Sequence, residues 1–323
     1  MVKPNVFDIR GRIPGSKVVD ENKNNVHLKD YAFKQGEGFI TFEDIFKNGL
    51  KFTDKELDGK QKLQVLLELE QTEAPHICVS KIEDFLRRIK YPVYHLDFES
   101  LTQPIPEWDG ISPTTKIPFQ YSLHIQEKDK RKKLKHKEFL CEEGKEGEDP
   151  RRDLAEELCK DIPEDSCVTA YYMPFEKKRL EELAEYIKKD DPKRAKHLLN
   201  IRDNIIDLME PFQTGAYYCR EMNGSHSIKQ VLPALFPNDP DLDYKSLTIN
   251  GATAGREYAK LPEVIKKDKD QYEKTRTDLL AYCELDTYAM VKLLSKLKEA
   301  VKDNSKCTAK CWWVRKAYES IRL

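Results

Sequence analysis

The apolar positions of this chain follow two different periods, and each period predicts one kind of secondary structure. The segment YPVYHLDFES at 91–100 is almost continuously apolar before its acidic end, which is typical of a strand buried on both faces of a sheet. Aromatic-rich segments follow at 117–126 and 133–140, and the charged turn between them predicts an antiparallel hairpin. Three consecutive strands are therefore expected before the first long helix.

The later part of the chain alternates between the helical period and short apolar runs. Helices are predicted at 149–162, 174–187 and 225–236, strands at 166–172 and 204–209, and a long helix from about Tyr272 to Ala300. Parallel neighbours in a sheet need helical connections, and the two helix–strand units supply them. The order predicts an α/β domain over residues 86–300, with a mixed sheet and helices on both faces.

The residues outside this domain are predicted to form two smaller regions. Residues 1–85 are mostly polar and are expected to be mostly helical, with a helical run from about 55 to 71 and a short helix at 79–89. Residues 301–323 are expected to form a C-terminal tail. For the first region the sequence leaves three roles open, namely a dimer contact, a lid or a segment that docks a partner.

Composition restricts the partners that the chain can attract. The 56 lysines and arginines against 57 acidic residues give a net charge of −1, so any attraction to nucleic acid must come from a local patch.

No apolar run approaches the roughly 20 residues that span a bilayer, and the first residues lack the apolar core of a signal peptide. We therefore expect a cytoplasmic protein, no membrane partner and reduced thiols at its eight scattered cysteines. Cys307 and Cys311 could be half a zinc site, but nothing nearby completes it.

Several acidic residues occupy positions that a sheet and a helix bring inward. Asp97 and Glu99 stand two apart at the end of the first strand, so both side chains point to one face. Asp286 and Tyr282 stand four apart on the apolar side of the long helix. Glu176 lies just inside the helix that follows the 166–172 strand. Each has a plainer interpretation: a strand entering a polar loop, a core tyrosine, and a first-turn glutamate favoured by the helix dipole.

The motifs of other common chemistries are absent from the sequence. There is no phosphate-binding G-x-x-x-x-G-K-[ST], no G-x-G-x-x-G, no H-E-x-x-H and no G-x-S-x-G. His95 lies on the Asp97 face of its strand, and we interpret it as a hydrogen-bonded core histidine. Cys283 has no evident base beside it in the sequence, which argues against a thiol nucleophile.

These residues together resemble the DEDD exonucleases of the ribonuclease H-like fold, in their tyrosine subclass. The resemblance rests on Asp97-Phe98-Glu99, on Glu176 at the start of a helix, and on Tyr282 and Asp286 with three residues between them. The histidine subclass would carry histidine at Ala281. Asp207 resembles the structural aspartate that follows the second motif. Residues 85–300 also resemble a bacterial family of uncharacterised domains that is grouped with these nucleases.

The resemblance implies a metal-dependent 3′–5′ exonuclease that hydrolyses phosphodiester bonds of DNA or RNA. Asp97, Glu99, Glu176 and Asp286 would bind two Mg²⁺ or Mn²⁺ ions, which activate a water and stabilise the leaving oxygen. Tyr282 would orient that water, and Ser100 and Leu101 would pack against the terminal nucleotide. Two departures raise the alternative of a catalytically inactive ribonuclease H-like module that binds nucleic acid or protein: glutamate at 176 replaces the usual aspartate, and Tyr172 replaces the usual asparagine. An endonuclease with the same metals is a third possibility.

Basic residues that could attract such a substrate are spread over several segments. The runs 128–137 and 188–197 and the residues 177–179 are most simply solvated faces. Lys229, at the start of the 225–236 helix, is the better candidate for a phosphate contact. The sequence leaves open DNA against RNA, the direction of digestion and the oligomeric state.

Overall fold

The structure is a computed structural model that describes residues 17–19, 23–27, 64, 67, 74–108, 110–129, 131–244 and 247–304. The predicted helical run at 55–71 lies outside the described residues except for Gln64 and Leu67, which are helical. The tail from residue 305, with Cys307 and Cys311, also lies outside them. The chain divides into two compact units, one made of residues 1–85, 210–237 and 297–323, the other of residues 86–209 and 238–296.

The described residues form both strands and helices, numbered in chain order. The strands are β1 Lys17–Val19, β2 Asn25–His27, β3 His76–Ile77, β4 Val93–Leu101, β5 Ile117–Gln126, β6 Lys135–Leu140, β7 Cys167–Ala170, β8 Ile205–Asp207 and β9 Tyr217–Tyr218. The α-helices are α1 Val79–Leu86, α2 Arg151–Asp161, α3 Pro174–Ile187, α4 Pro192–Asp203, α5 Glu210–Gln213, α6 Ile228–Leu235, α7 Ala254–Val264 and α8 Lys269–Asn304. Short 3₁₀ turns occur at Arg220–Met222 and Pro240–Leu242.

A five-stranded mixed sheet forms the centre of the unit that contains β4. Its strand order is β6-β5-β4-β7-β8. β5 runs antiparallel to both β4 and β6, whereas β4, β7 and β8 are parallel. Helix α2 lies between β6 and β7 in the chain, and α3 and α4 connect the parallel pair β7 and β8. The predicted α/β class with a mixed sheet flanked by helices is confirmed.

One face of the sheet is closed by helices α2, α3 and α4. Tyr94, Leu96 and Phe98 of β4 point to this face because side chains alternate along a strand. They pack in one apolar cluster with residues of β5 and with the buried stripes of the three helices. This side is a continuous hydrophobic core.

The opposite face is covered by α7 and α8, and its apolar cluster surrounds polar residues. Leu101 and Ile117 pack there with Tyr258 of α7 and Leu279 of α8. The pairing of β4 with β5 shifts by one residue between Glu99 and Ser100, a β-bulge at the strand end that carries the acidic residues. Helix α8 is long because its apolar positions recur at helical spacing, and Cys283, Met290, Leu293 and Leu297 are fully buried.

The other unit is described only in part. β1 pairs with β2 and β3 with β9, both antiparallel, and the sequence analysis predicts none of these short strands. Residues 210–237 group with this unit, whereas the sequence analysis places them in one domain with residues 86–300. The described cysteines other than Cys78 are free: Cys141, Cys159, Cys167, Cys219 and Cys283. Cys78 is disulfide-bonded, which contradicts the predicted reduced thiol at that position.

Candidate metal centre

Three carboxylates converge at the end of β4. Asp97 and Glu99 point from the strand to the α8 side of the sheet, and Asp286 points to them from the helix. One carboxylate oxygen from each lies within 4.8 Å of the others. Glu99 and Asp286 are each only 9% exposed, so neither charge is solvated as a surface carboxylate would be. The predicted pairing of strand and helix therefore brings three of the four predicted ligands together.

Glu176 is the fourth predicted ligand, and the turn between β7 and α3 positions it. Asp207 accepts hydrogen bonds from the backbone N–H groups of Tyr172 at 3.1 Å and Met173 at 3.2 Å. Helix α3 then begins at Pro174, whose ring suits the first helical position. Asp207 thus holds the loop that precedes Glu176, which is the structural role that the resemblance implied.

The Glu176 side chain is buried without full hydrogen bonding. It is 2% exposed, and its Oε2 has no hydrogen-bond partner among the residues that the structure describes. A buried carboxylate oxygen of this kind is destabilising unless another group compensates it. Burial, with the charges of Asp207 and Asp286 adding, raises the pKa of Glu176 to about 8.

Asp97 lies at the electrostatic centre of the four carboxylates. Its pKa is raised well above the usual range, first by burial and then by the charges of Asp286, Glu176 and Glu99. Like charges at this spacing cannot all be ionised at neutral pH without a compensating cation. The arrangement is therefore unfavourable by itself and suited to a positive ligand.

Two tyrosines border the carboxylates. Tyr282 is 3% exposed, and burial together with the charges of Asp286, Glu99 and Asp97 raises the pKa of its phenol. Its hydroxyl accepts a hydrogen bond from the backbone N–H of Gly251, where an added Cβ would lie 3.2 Å from the hydroxyl oxygen. Tyr244 donates a hydrogen bond to Asp286 Oδ1. Sequence reasoning missed Tyr244, because it lies in a polar loop with no periodicity to orient it.

Two further residues, Cys283 and His95, lie beside the site. The Cys283 thiol donates to Asp97 Oδ2 at 3.5 Å, and burial beside Asp97 raises its pKa, so the thiol stays protonated. His95 is fully buried and hydrogen-bonds Thr169 Oγ1 through Nδ1 at 2.7 Å and Gln126 Oε1 through Nε2 at 3.3 Å. His95 is therefore a hydrogen-bonded core histidine.

The predicted substrate contacts lie in different places. Ser100 and Leu101 follow Glu99 in β4, where Leu101 is 5% exposed and packs in the core cluster on the α8 side. An added Cβ at Gly255 would lie 2.8 Å from the Ser100 carbonyl oxygen, so α7 approaches this strand end closely. Lys229 is an exposed residue of α6, which belongs to the other unit.

Many of the basic side chains that could attract a substrate are paired with acids. Arg179 is 5% exposed, bonds Glu182 at 2.8 Å and lies over the Phe175 ring. Lys137 bonds Asp161 at 2.6 Å. A groove of about 660 Å³ between α3 and α4 carries both lysines and glutamates, but none of the four converging carboxylates lines it. The exposed Lys137 agrees with the interpretation of the basic runs as solvated faces, whereas the buried Arg179 does not.

The donor set fits Mg²⁺ or Mn²⁺. Hard divalent cations prefer carboxylate oxygens, and the four carboxylates supply only such ligands. The unpartnered Glu176 Oε2 and the mutual repulsion of the cluster are both compensated when a cation binds. Asp97, Glu99, Asp286 and Glu176 are therefore the residues of this chain that could hold it.

Comparison with known proteins finds a similarity to an uncharacterised family over part of the chain. Residues 94–227 match the family model described as "Domain of unknown function (DUF2779)", which confirms the predicted resemblance to an uncharacterised domain over those residues. "Uncharacterized protein MG366" of Mycoplasma genitalium is 23% identical over 284 residues, covering 85% of this chain and 42% of that protein. Its homolog in Mycoplasma pneumoniae is 24% identical over 231 residues, covering 69% of this chain and 34% of that protein. The chain thus spans less than half the length of each relative.

No solved structure matches the chain. Within the part of the chain that the structure describes, every helix is too short or too polar to cross a bilayer.

Proposed function

We propose that this chain is a metal-dependent nuclease of the DEDD type, tyrosine subclass, which removes nucleotides from the 3′ end of DNA or RNA. The observation that carries the proposal is the buried convergence of Asp97, Glu99 and Asp286, with the unpartnered oxygen of Glu176 beside them. Buried carboxylates that repel one another are destabilising in a protein that has no cation to bind. Paired divalent ions held by carboxylates are a recurring arrangement in phosphodiester hydrolysis.

The fold supports the same proposal through the position that it gives to the acidic pair. A mixed sheet flanked by helices is what the resemblance to the ribonuclease H-like fold implies, and here β4 carries the D-x-E pair at its carboxyl end. Strand ends of open α/β sheets are where such folds bind ligands. The relatives are uncharacterised, so they do not indicate an activity for this chain. The proposal therefore depends on the residues of the site itself.

Each residue has a defined role in the proposed reaction. Asp97, Glu99, Asp286 and Glu176 would hold Mg²⁺ or Mn²⁺, and such ions would supply Lewis-acid stabilisation of the phosphoryl oxygens and activation of a water. Tyr282 keeps its proton, because its pKa is raised, and orients the attacking water through its hydroxyl. Tyr244 fixes the carboxylate of Asp286 by its hydrogen bond.

One observation favours the alternative of a ribonuclease H-like module that binds without cleaving. Tyr172, at the position of the usual asparagine, is 55% exposed and presents an aromatic ring beside the turn that leads to Glu176. An exposed ring can stack on a base or pack on a protein partner without any reaction. Activity measurements separate the two candidates.

The proposal is tested with 5′-labelled and 3′-labelled single-stranded DNA and RNA oligonucleotides, in Mn²⁺, in Mg²⁺ or in chelator. We expect a metal-dependent ladder that shortens from the 3′ end. Asp97→Asn should lower the rate by about 1000-fold, since a lost metal ligand removes several kcal/mol of transition-state stabilisation. Asp270→Asn, the same substitution at an exposed acid of helix α8, is the control and should leave the rate unchanged.

Two other outcomes change the conclusion. Cleavage of circular substrates would make the protein an endonuclease with the same site. Retained oligonucleotide binding without cleavage in either metal would overturn the nuclease proposal in favour of the binding module.

A further inference from the structure

A second cluster of metal-ligating side chains lies between β5, β6 and α8. His124 of β5 pairs directly with His136 of β6, and their ring centroids are 4.6 Å apart. One ring nitrogen of each histidine and a carboxylate oxygen of Glu284 lie within 4.8 Å of one another. These residues are separate from the four acidic ligands of the proposed nuclease site.

A chain of hydroxyl groups fixes the proton on each imidazole. Thr287 Oγ1 donates its hydrogen to the Glu284 carbonyl at 3.0 Å, so it accepts from His124 Nδ1 at 2.8 Å and from Ser122 Oγ at 2.7 Å. Because the Ser122 hydrogen is used on Thr287, Ser122 in turn accepts from His136 Nε2 at 2.9 Å. The network therefore places protons on His124 Nδ1 and His136 Nε2.

This proton arrangement leaves one lone pair on each ring for a ligand. The lone pairs are on His124 Nε2 and His136 Nδ1, and His136 Nδ1 lies 3.6 Å from Glu284 Oε1. Zinc bonds of about 2.0–2.1 Å at tetrahedral angles hold two ligand atoms roughly 3.3 Å apart. The second ring nitrogen of a zinc-bound histidine is commonly hydrogen-bonded, which orients the ring, and both rings here have such a bond.

The ionisation of His124 also suits metal binding. Burial, with the neighbouring His136 and His95 adding, lowers the pKa of His124 to about 3. The ring is therefore neutral near physiological pH, and neutral imidazole is the form that ligates metals.

We propose that His124, His136 and Glu284 form a site for a first-row transition ion of the Zn²⁺ class, distinct from the Mg²⁺ or Mn²⁺ centre. Two imidazoles and one carboxylate are a donor set typical of zinc, whereas the neighbouring all-carboxylate cluster suits harder ions. The His136 and Glu284 side chains are 23% and 49% exposed, which gives the ion a route from solvent and leaves room for a water ligand.

Such an ion would link three elements that the fold otherwise joins by packing. β6 lies at the edge of the sheet, and the ion would tie it and β5 to the helix that carries Asp286. The proposal does not depend on nuclease activity, because it concerns binding and stability alone.

The test is Zn²⁺ titration by calorimetry with the whole chain, together with the visible spectrum of the Co²⁺-loaded protein. We expect one Zn²⁺ per chain in the Asp97→Asn/Asp286→Asn double variant, and in the wild type when excess Mg²⁺ occupies the carboxylate centre. His136→Ala and Glu284→Gln should each weaken Zn²⁺ binding by at least about 100-fold and abolish the Co²⁺ spectrum of a low-symmetry nitrogen-ligated site. Glu299→Gln, an exposed acid on the same helix, is the matched control.

Two results would overturn the site. One is the absence of Zn²⁺ binding in the wild type. The other is Zn²⁺ binding that survives both His136→Ala and Glu284→Gln but disappears in the double variant of the carboxylate centre. Glu284→Gln changes an exposed side chain and preserves its shape, so the test holds even if His136→Ala fails to fold.

Discussion

The two faces of β4 carry different kinds of side chain, although both belong to one strand. Tyr94, Leu96 and Phe98 enter an apolar core against α2, α3 and α4. The alternate residues His95, Asp97 and Glu99 are polar and point to the other side. Both faces are covered by helices, so the polar residues are not simply the solvent side of an amphipathic strand. The polar side chains on one face of β4 form a polar row. Because helices cover that face as well, the polar row indicates a functional site rather than a solvent-exposed surface.

The polar row itself contains two kinds of buried group. His95 is fully buried, and both of its ring nitrogens have hydrogen-bond partners. Asp97, two positions further on, is surrounded by other carboxylates that raise its pKa. Buried polar groups with partners stabilise a unique fold, whereas those that repel their neighbours are favourable only with a ligand. The comparison therefore separates a structural polar residue from functional ones on the same strand.

The largest expected effect comes from substitution of adjacent residues on opposite faces. Leu96 is fully buried, so Leu96→Ala should lower the free energy of unfolding by about 2–5 kcal/mol. Asp97→Asn should instead raise it in chelator, because asparagine is neutral, whereas the buried Asp97 carboxyl must either carry a charge that its neighbours repel or take up a proton. The measurement is urea unfolding of both variants in EDTA. Destabilisation by Asp97→Asn comparable to that of Leu96→Ala would show that Asp97 is a structural residue like His95.

A pH dependence of stability follows from Glu176. Its pKa is about 8 in the folded protein and near 4.5 in the unfolded chain, so between these values the folded state binds more protons. Stability in chelator should therefore fall as pH rises, by about 3 kcal/mol between pH 5 and pH 8. Saturating Mn²⁺ should remove most of this fall, because the cation stabilises the ionised carboxylates.

Glu176→Gln isolates the contribution of this residue. The variant should show a shallower decline of stability with pH in EDTA, measured by urea unfolding at four pH values. Glu185→Gln, an exposed residue of the same helix, should decline as the wild type does. A decline of equal size in Glu176→Gln would place the titrating group elsewhere in the cluster.

The sequence predicted the elements of this site better than its surroundings. The alternation in β4 and the helical spacing of α8 were sufficient to orient Asp97, Glu99, Tyr282 and Asp286, because periodicity determines which face a side chain occupies. Glu176 was located by its position just after a predicted strand. Only the resemblance indicated that it is a metal ligand. In each case a local pattern carried the information.

The features that the sequence did not predict depend on contacts between distant segments. Tyr244 reaches Asp286 from a loop, where no period gives the direction of a side chain. His124 and His136 become neighbours through strand register, and Glu284 joins them from a position on α8 that its helical spacing does not mark as a site. Pairing register and loop conformation are set by tertiary packing, which the local periodicity of a single sequence does not reveal.

The smallest expected effect concerns the backbone of the turn before Glu176. Tyr172 has φ of +75°, a left-handed conformation that side chains with a Cβ adopt at some cost and that asparagine and glycine tolerate better. Its ring is 55% exposed, so substitution removes little packing. Tyr172→Asn should therefore raise the free energy of unfolding by about 1 kcal/mol in thermal or urea unfolding.

Tyr172→Ala is the matched control, since it removes the ring but keeps the backbone strain. An equal gain in both variants would attribute the effect to the lost ring, whereas a gain in Tyr172→Asn alone would attribute it to relief of the left-handed backbone conformation.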